Sequence, residues 1–235
     1  MLMFRVAIFS DIHGNLEALN SILSNIEKSE FDEIICLGDV IGIGPNSKEC
    51  LDLIIKHNIK LVLGNYERYY LNGTHNETKM DIGEKKHHAW VAYQLGDTYK
   101  EYLSKKDIYF NILVNDKKIA FMHYPFDKVE NNFYNPKSLT EDSVKRMFRN
   151  YGDNFTFFGH SHNEQFYKDN NDNIYFNVAS VGCGKGDVTS YTIFEYDGKD
   201  FSIYKKKCIY DRTLLDKKLT EMVYPEKEFI IKTFF

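Results

Sequence analysis

Cysteine, long apolar runs and surplus positive charge are all scarce in this chain, and each shortage removes a class of protein. The four cysteines, Cys36, Cys50, Cys183 and Cys208, are scattered with no CxxC pair. They read as reduced thiols of a cytoplasmic protein, since 235 residues can build a core without disulfide staples. No apolar stretch approaches the length that crosses a bilayer. The opening Met1-Leu2-Met3-Phe4-Arg5 leads into an apolar run that breaks at Ser10-Asp11. That run is too short for the core of a signal peptide, and no cleavage site follows it. A net charge of −4 and a pI near 6.1 give no basic footprint for nucleic acid. A small nucleotide substrate stays open, because bound metal ions bring positive charge of their own. Oligomeric state is not readable from one chain.

What is present is ordinary globular material with a heavy aromatic load, 18 Phe and 17 Tyr, enough for a sizeable core. Phe4–Phe9 is a continuous apolar run, as a strand buried on both faces requires. Leu16, Leu19, Leu23 and Ile26 give helical spacing over Leu16–Lys28. A strand at Glu33–Leu37, a helix at Ser47–His57 and a strand at Ile59–Leu63 follow. This alternation predicts right-handed βαβ units and a parallel sheet. Further on, helices are expected at Glu84–Leu95 and Thr98–Ser104. Strands are expected at Ile108–Val114 and Lys118–His123, flanking the turn signal Asn115-Asp116-Lys117. Ser138-Leu139-Thr140-Glu141 fits a capping box opening a helix to about Asn150. Strands at Phe155–Phe158, Gln165–Lys168, Ile174–Val178, Thr189–Tyr196 and Phe201–Lys206 complete a β-rich half. With no repeat or linker, residues 1–235 read as a single domain, with about 208–235 a peripheral, helical C-terminal segment. Two sheets packed face to face with helices outside is the economical arrangement.

Five short segments then stand out, each closing an apolar run with polar residues. They are Asp11-Ile12-His13, Gly38-Asp39, Gly64-Asn65, His123, and Gly159-His160-Ser161-His162. In open α/β sheets ligands bind beyond the carboxyl ends of strands. In extended backbone, residues two apart project to one side. On that reading Asp11 and His13 can grip one metal, and His160 and His162 share a side. A carboxylate such as Asp39 has two oxygens and can bridge two cations. Asn65 offers a neutral carbonyl oxygen. Taken alone, each has a plainer reading: Asp11 as a helix cap, Asp39 as a loop acceptor, Asn65 as a cap, one His as a polar tip. Together they supply mixed Asp, Asn and His chemistry for two metal ions, and a two-metal site points to phosphoester hydrolysis. Gly42 and Gly44-Pro45 suggest a tight loop close to a ligand. Asn15 could cap the first helix.

The combined pattern D-x-H, G-D, G-N-x-E, H and G-H-x-H resembles the calcineurin-like metallophosphoesterase superfamily. Ser10-Asp11-Ile12-His13-Gly14-Asn15, Gly38-Asp39-Val40-Ile41-Gly42 and Ala179-Ser180-Val181-Gly182 narrow the resemblance to its small bacterial and archaeal phosphodiesterase-like branch. The resemblance implies an α/β (α+β by some schemes) four-layer αββα sandwich, two mixed β-sheets flanked by helices. It implies that Asp11, His13 and His162 hold one metal and Asn65, His123 and His160 the other, with Asp39 bridging. The cofactors would be two divalent metal ions, Mn first, with Fe, Zn or Ni as alternatives. The reaction would be hydrolysis of a phosphodiester or phosphomonoester by a metal-bridging hydroxide, the metals lying about 3.5–4 Å apart. Asp39, Asn65 and Tyr66 would carry the catalysis.

One position departs from that pattern: Tyr66 stands where the superfamily has His. A Tyr near pKa 10 donates a hydrogen bond but is a poor acid for a demanding leaving group. His75, His87 and His88 are the other proton sources to weigh; His87 and His88 read more simply as an exposed helix face. Arg68 could reach a phosphate, or make a surface ion pair. Asn15, Arg68, His87 and His88 are thus the candidate substrate contacts, and the expected partner is a small phosphoester or nucleotide. Cys183, in the Val181-Gly182-Cys183-Gly184 loop, reads as a small buried thiol. The alternative function is a scaffold or binding protein keeping this fold, as the retromer subunit does. A third is Ser/Thr protein phosphatase-like activity, for which Gly64-Asn65-x-Glu67-Arg68 is weakly reminiscent.

Overall fold

The structure is a computed structural model that describes residues 3–75, 77–127, 132–133, 140–148, 151 and 154–235. Strand β1 (Phe4–Phe9) leads to α1 (Leu16–Ile26), β2 (Glu33–Cys36), α2 (Ser47–Lys56) and β3 (Lys60–Leu61). Three helices follow, α3 (Asn65–Asn72), α4 (Ile82–Leu95) and α5 (Lys100–Ser104). Next come β4 (Tyr109–Val114), β5 (Lys117–Met122), the short pair β6 (Phe126–Asp127) and β7 (Asn132–Phe133), and α6 (Glu141–Phe148). The chain closes with β8 (Phe155–Phe158), β9 (Gln165–Lys168), β10 (Ile174–Asn177), β11 (Val188–Tyr196), β12 (Phe201–Ile209), α7 (Arg212–Glu221) and α8 (Lys227–Phe234).

Two five-stranded mixed sheets result, in the orders β12-β11-β1-β2-β3 and β4-β5-β8-β10-β9. In the first, β1, β2 and β3 run parallel; in the second, β5, β8 and β10 do. The period of two along β1 explains the layering. Val6 and Ile8 face the second sheet with Ile35, Phe121 and Phe157, while Ala7 and Phe9 face α1 and α2 through Leu19, Ile22, Leu51 and Ile54. From Val6 on both faces are buried, and that part of the run is apolar throughout, while Arg5 at the open end pairs with Glu195. The outer face of the second sheet meets α6 through Val144 and Phe148 against Ala120, Phe158 and Tyr175. Helix, sheet, sheet, helix is the αββα sandwich that the sequence predicts. No helix among the described residues is long and apolar enough to cross a membrane.

Three expectations need correction. The sequence predicts no element at Asn65–Asn72, which is helix α3. The C-terminal segment is not peripheral: Leu215, Leu219, Tyr224, Ile230 and Phe235 are buried in the helical side of the core. The helix expected from Ser138 begins instead behind Thr140, which exchanges hydrogen bonds with Ser143 (Thr140 Oγ1 accepts from Ser143 N at 3.2 Å and Thr140 N donates to Ser143 Oγ at 2.8 Å). Ser138, Leu139 and Asn150 lie outside the described residues.

Candidate metal centre

The carboxyl ends of β1, β2 and β3 and those of β5 and β8 meet at one edge of the sandwich, and the seven donor residues stand there. Asp11 and His13 follow β1, Asp39 follows β2, Asn65 opens α3 just past β3, His123 follows β5, and His160 and His162 follow β8. The two sheets are tied at this edge by His123 Nδ1, which donates across to Leu37 O at 2.9 Å.

The donors form two groups. In the first, His13 Nε2 lies 3.1 Å from His162 Nε2, and Asp11 Oδ1 lies 3.7 Å from the one and 3.5 Å from the other. In the second, Asn65 Oδ1 is 3.0 Å from both His123 Nε2 and His160 Nδ1, which are 3.3 Å apart. One oxygen, Asp39 Oδ2, reaches His13 Nε2 at 3.7 Å and His123 Nε2 at 3.3 Å, so Asp39 is shared. Its other oxygen accepts from Tyr66 N at 2.9 Å.

These groups fit cations because of which atoms face inward. His13 Nδ1 donates to Ile41 O at 3.2 Å, and His123 Nδ1 to Leu37 O, so in each neutral ring Nε2 carries the lone pair. Lone pairs therefore converge on lone pairs and on carboxylate oxygens. Asp11 Oδ1 is fully buried and accepts no hydrogen bond. Such a buried, orphaned carboxylate oxygen needs positive charge beside it, from a proton or a metal.

Without a cation, protons fill that role unevenly. Burial opposes charge on His123, but Asp39 and then Asp11 raise it to about 9. Burial likewise opposes charge on His162, yet Asp11 and then the nearby Cys183 raise it to about 11. His13 is held at about 4 by burial and His160 at about 4 by burial and the His123 charge. Burial raises Asp11, but His162 beside it and then the charges of the surrounding imidazoles hold it well below the usual carboxylate range.

The backbone here is strained. Asp11, His13, Asp39, His160 and His162 all have positive φ, from 48° to 76°. This overturns the extended-strand argument for His160 and His162, whereas Asp11 and His13 do fall in one donor group, on left-handed backbone instead of extended. In the left-handed region residues two apart need not share a side, and His160 and His162 diverge to different groups.

The remaining predicted residues fall outside the donor set. Asn15 caps α1, accepting from Ala18 N at 3.1 Å and donating to Gly182 O at 2.9 Å, so its amide is spent inside the protein. His87 and His88 are buried, not on an exposed face. His87 Nε2 accepts from Ile43 N and its Nδ1 donates to Pro225 O. His88 packs on Tyr66 and Tyr69 at ring separations of 4.6 Å. Arg68 lies over the Phe126 ring at 4.4 Å. His75 is exposed after α3. Tyr66 does reach the centre, edge-on to His13 at 4.9 Å. Burial and then Asp39 push its phenol well above the ordinary value. The expected ligand loop at Gly42 instead receives this ring: a Cβ there would lie 2.1 Å from Tyr66 Cδ1, and its φ of +84° favours glycine.

A model of the calcineurin-like phosphoesterase superfamily domain matches residues 4–199. The chain belongs to this superfamily. Among similar chains, an uncharacterized protein of Methanocaldococcus jannaschii is 29% identical over 94% of both chains. A metallophosphoesterase of Sphaerobacter thermophilus has 20% identity and a TM-score of 0.73 over 98% of both chains. A hypothetical protein of Pyrococcus horikoshii has 18% identity and a TM-score of 0.78, covering 97% of this chain and 96% of its own.

Two residues that the sequence did not assign complete the centre. Glu67 sends Oε2 to the N–H groups of Asp39 and Gly64, each at 2.9 Å, and Oε1 to Val40 N at 2.8 Å. Cys183 stands beside His13 and His162. The signals were the Glu in G-N-x-E and the glycines around Cys183.

Two outcomes are expected. Glu67→Gln turns an NH₂ toward backbone donors, and should cost about 2–3 kcal/mol in urea denaturation and weaken metal binding with it. Unchanged values for both would show that other contacts hold the loops. Metal must displace the protons of His123 and His162, so affinity for Mn²⁺ should rise from about pH 6 to 8 with proton release. Calorimetry in buffers of different ionisation enthalpy measures this; proton-neutral, pH-independent binding would contradict it.

Proposed function

We propose that the chain is a phosphoesterase that works with two divalent cations, one in each donor group. The observation that carries this reading is Asp39 Oδ2, a single buried oxygen within 3.7 Å of one imidazole nitrogen from each group. Asp11, His13 and His162 would hold one ion and Asn65, His123 and His160 the other. Imidazole-rich sets suit Mn, Fe, Zn and Ni better than Mg or Ca. When bound, the ions would polarise phosphate oxygens and make water a competent nucleophile at neutral pH.

The protein's own groups do the rest. Two carboxylates and four neutral imidazoles leave a dication pair with surplus positive charge, which favours an anionic ester. Tyr66, its phenol held protonated, can donate a hydrogen bond to a phosphate oxygen but cannot act as a base near neutrality. It is also a weak proton donor to a departing alkoxide. The substrate class that fits is therefore a phosphodiester or monoester whose leaving group needs little help, a nucleotide's phosphate or an aryl oxide among them. The scaffold alternative would not require seven intact donors, and the protein phosphatase alternative rests on the Gly64-Asn65-x-Glu67-Arg68 run and on 26% identity to a putative serine/threonine-protein phosphatase of Caenorhabditis elegans over only 37% of this chain.

The test is hydrolysis of p-nitrophenyl phosphate and bis(p-nitrophenyl) phosphate by Mn²⁺-loaded protein, with Asp39→Asn as control. Activity should be lost in the control; an equally active Asp39→Asn protein would refute the two-cation reading. Tyr66→His should gain most on alkyl esters, up to about 10²-fold, and little on p-nitrophenyl esters. Equal gains on both would show that Tyr66 does not limit leaving-group departure.

A further inference from the structure

Four cysteines are free, and three of them, Cys36, Cys50 and Cys208, are buried and join none of the donor groups. Cys183 differs in both respects. It is half-buried, and its Sγ and the ligand nitrogens of His13 and His162 all lie within 4.8 Å of one another. We propose that Cys183 is a further ligand of the cation held by Asp11, His13 and His162, so that this position carries a thiolate and the Asn65 position does not. The proposal rests on the two-cation reading above and deepens it.

The loop that carries Cys183 is built onto the donor it serves. Val181 N donates to Ser10 O at 3.0 Å and Gly182 N to Asp11 O at 2.9 Å. Ser180 Oγ donates to Asp11 O at 2.7 Å and accepts from Cys183 N at 3.0 Å. A Cβ on Gly182 would fall 1.8 Å from Ile12 O, so only glycine permits this approach. The thiol is thereby fixed relative to Asp11, not left on a wandering loop.

A second observation is independent of the sulfur. Asp11 Oδ1, fully buried and without a hydrogen-bond partner, aims at the same two imidazole nitrogens that Cys183 approaches. His13 Nδ1 is committed to Ile41 O, which leaves its Nε2 lone pair facing His162 Nε2 at 3.1 Å. The same two imidazoles thus have a carboxylate oxygen and a sulfur beside them. The Asn65 group, by contrast, offers only oxygen and nitrogen.

The chemistry is proton exchange without change of oxidation state: the S–H bond breaks, the proton goes to solvent and the sulfur electron pair forms the bond to the cation. Thiolate is a soft ligand, so this position should prefer Zn²⁺, Fe²⁺ or Co²⁺ over Mn²⁺. The two positions then differ in metal preference.

The experiment is an anaerobic titration of the metal-free protein with Co²⁺, followed by absorbance and by bound-metal analysis. Wild-type protein should develop the near-ultraviolet thiolate-to-cobalt charge-transfer band, complete with one of the two equivalents bound. Cys183→Ser and Cys183→Ala should keep the visible ligand-field bands and lose the charge-transfer band. Their preference for Zn²⁺ over Mn²⁺ should fall at least about tenfold. Cobalt bound by wild-type protein with no charge-transfer band overturns the thiolate ligand and leaves the two-cation reading standing. A band that persists in both variants assigns it to another cysteine and overturns the proposal equally. Failure to bind cobalt at all overturns both.

Discussion

Everything at the centre hangs on the carboxylate of Glu67. It sits at the start of α3 and accepts from backbone N–H groups in two separate loops, Asp39 and Val40 after β2 and Gly64 after β3. Those loops carry the shared donor Asp39 and the donor Asn65. Asp39 returns the tie by accepting from Tyr66 N at the first turn of the same helix. The interlock is reciprocal: the helix fixes the loop backbone, and the loop carboxylate fixes the helix start. Hydrogen bonds to a charged group are worth about 1.5–3 kcal/mol each, enough to hold Asp39 at a φ of 52° against its own preference.

The same cleft concentrates a problem that only positive charge solves. Asp11, Asp39 and Glu67 are buried close together, and burial plus the Asp39 charge pushes Glu67 up to about 7. An isolated buried carboxylate costs several kcal/mol. His123 and His162 answer by binding protons, and cations would answer better, being doubly charged and reached by lone pairs already aimed. Strain and like-charge crowding are both costs of preorganisation, carried by a sandwich whose centre is closely packed, with Phe121 stacked on Phe157.

What could be read from the sequence followed from this division. β1 and α1 were legible because burial alone dictates them: both faces of residues 6–9 are covered, and one face of Leu16–Ile26 is. Helix α3 was not, because Asn65, Tyr66 and Glu67 are there for the centre and leave no apolar stripe. Nor was α4 read as a core element, since much of its buried face is imidazole, His87 and His88, in place of aliphatic side chains. The donors were legible as residues from the superfamily pattern, while the simpler argument from two-residue spacing failed for His160 and His162 on left-handed backbone. Placement near the end of the chain said nothing of packing. Phe234 lies 5.9 Å from the His162 ring, and its carbonyl accepts from Gly184 N next to Cys183.

That last contact bears on how specificity can vary while the chemistry stays fixed. The floor of the cleft, Asp11, His13, Asp39 and His123, is buried and comes from strand ends. Its rim, Asn65, Tyr66, His160, His162 and Cys183, is only partly covered, and α8 closes one side of it through Phe234. A phosphate ester is an anion: without metal the charges of His123 and His162 only offset the two floor carboxylates, whereas bound cations would leave surplus positive charge to attract it. Charge would then select the phosphate, and the rim, built from loops and helices outside the two sheets, would be free to select what is attached to it.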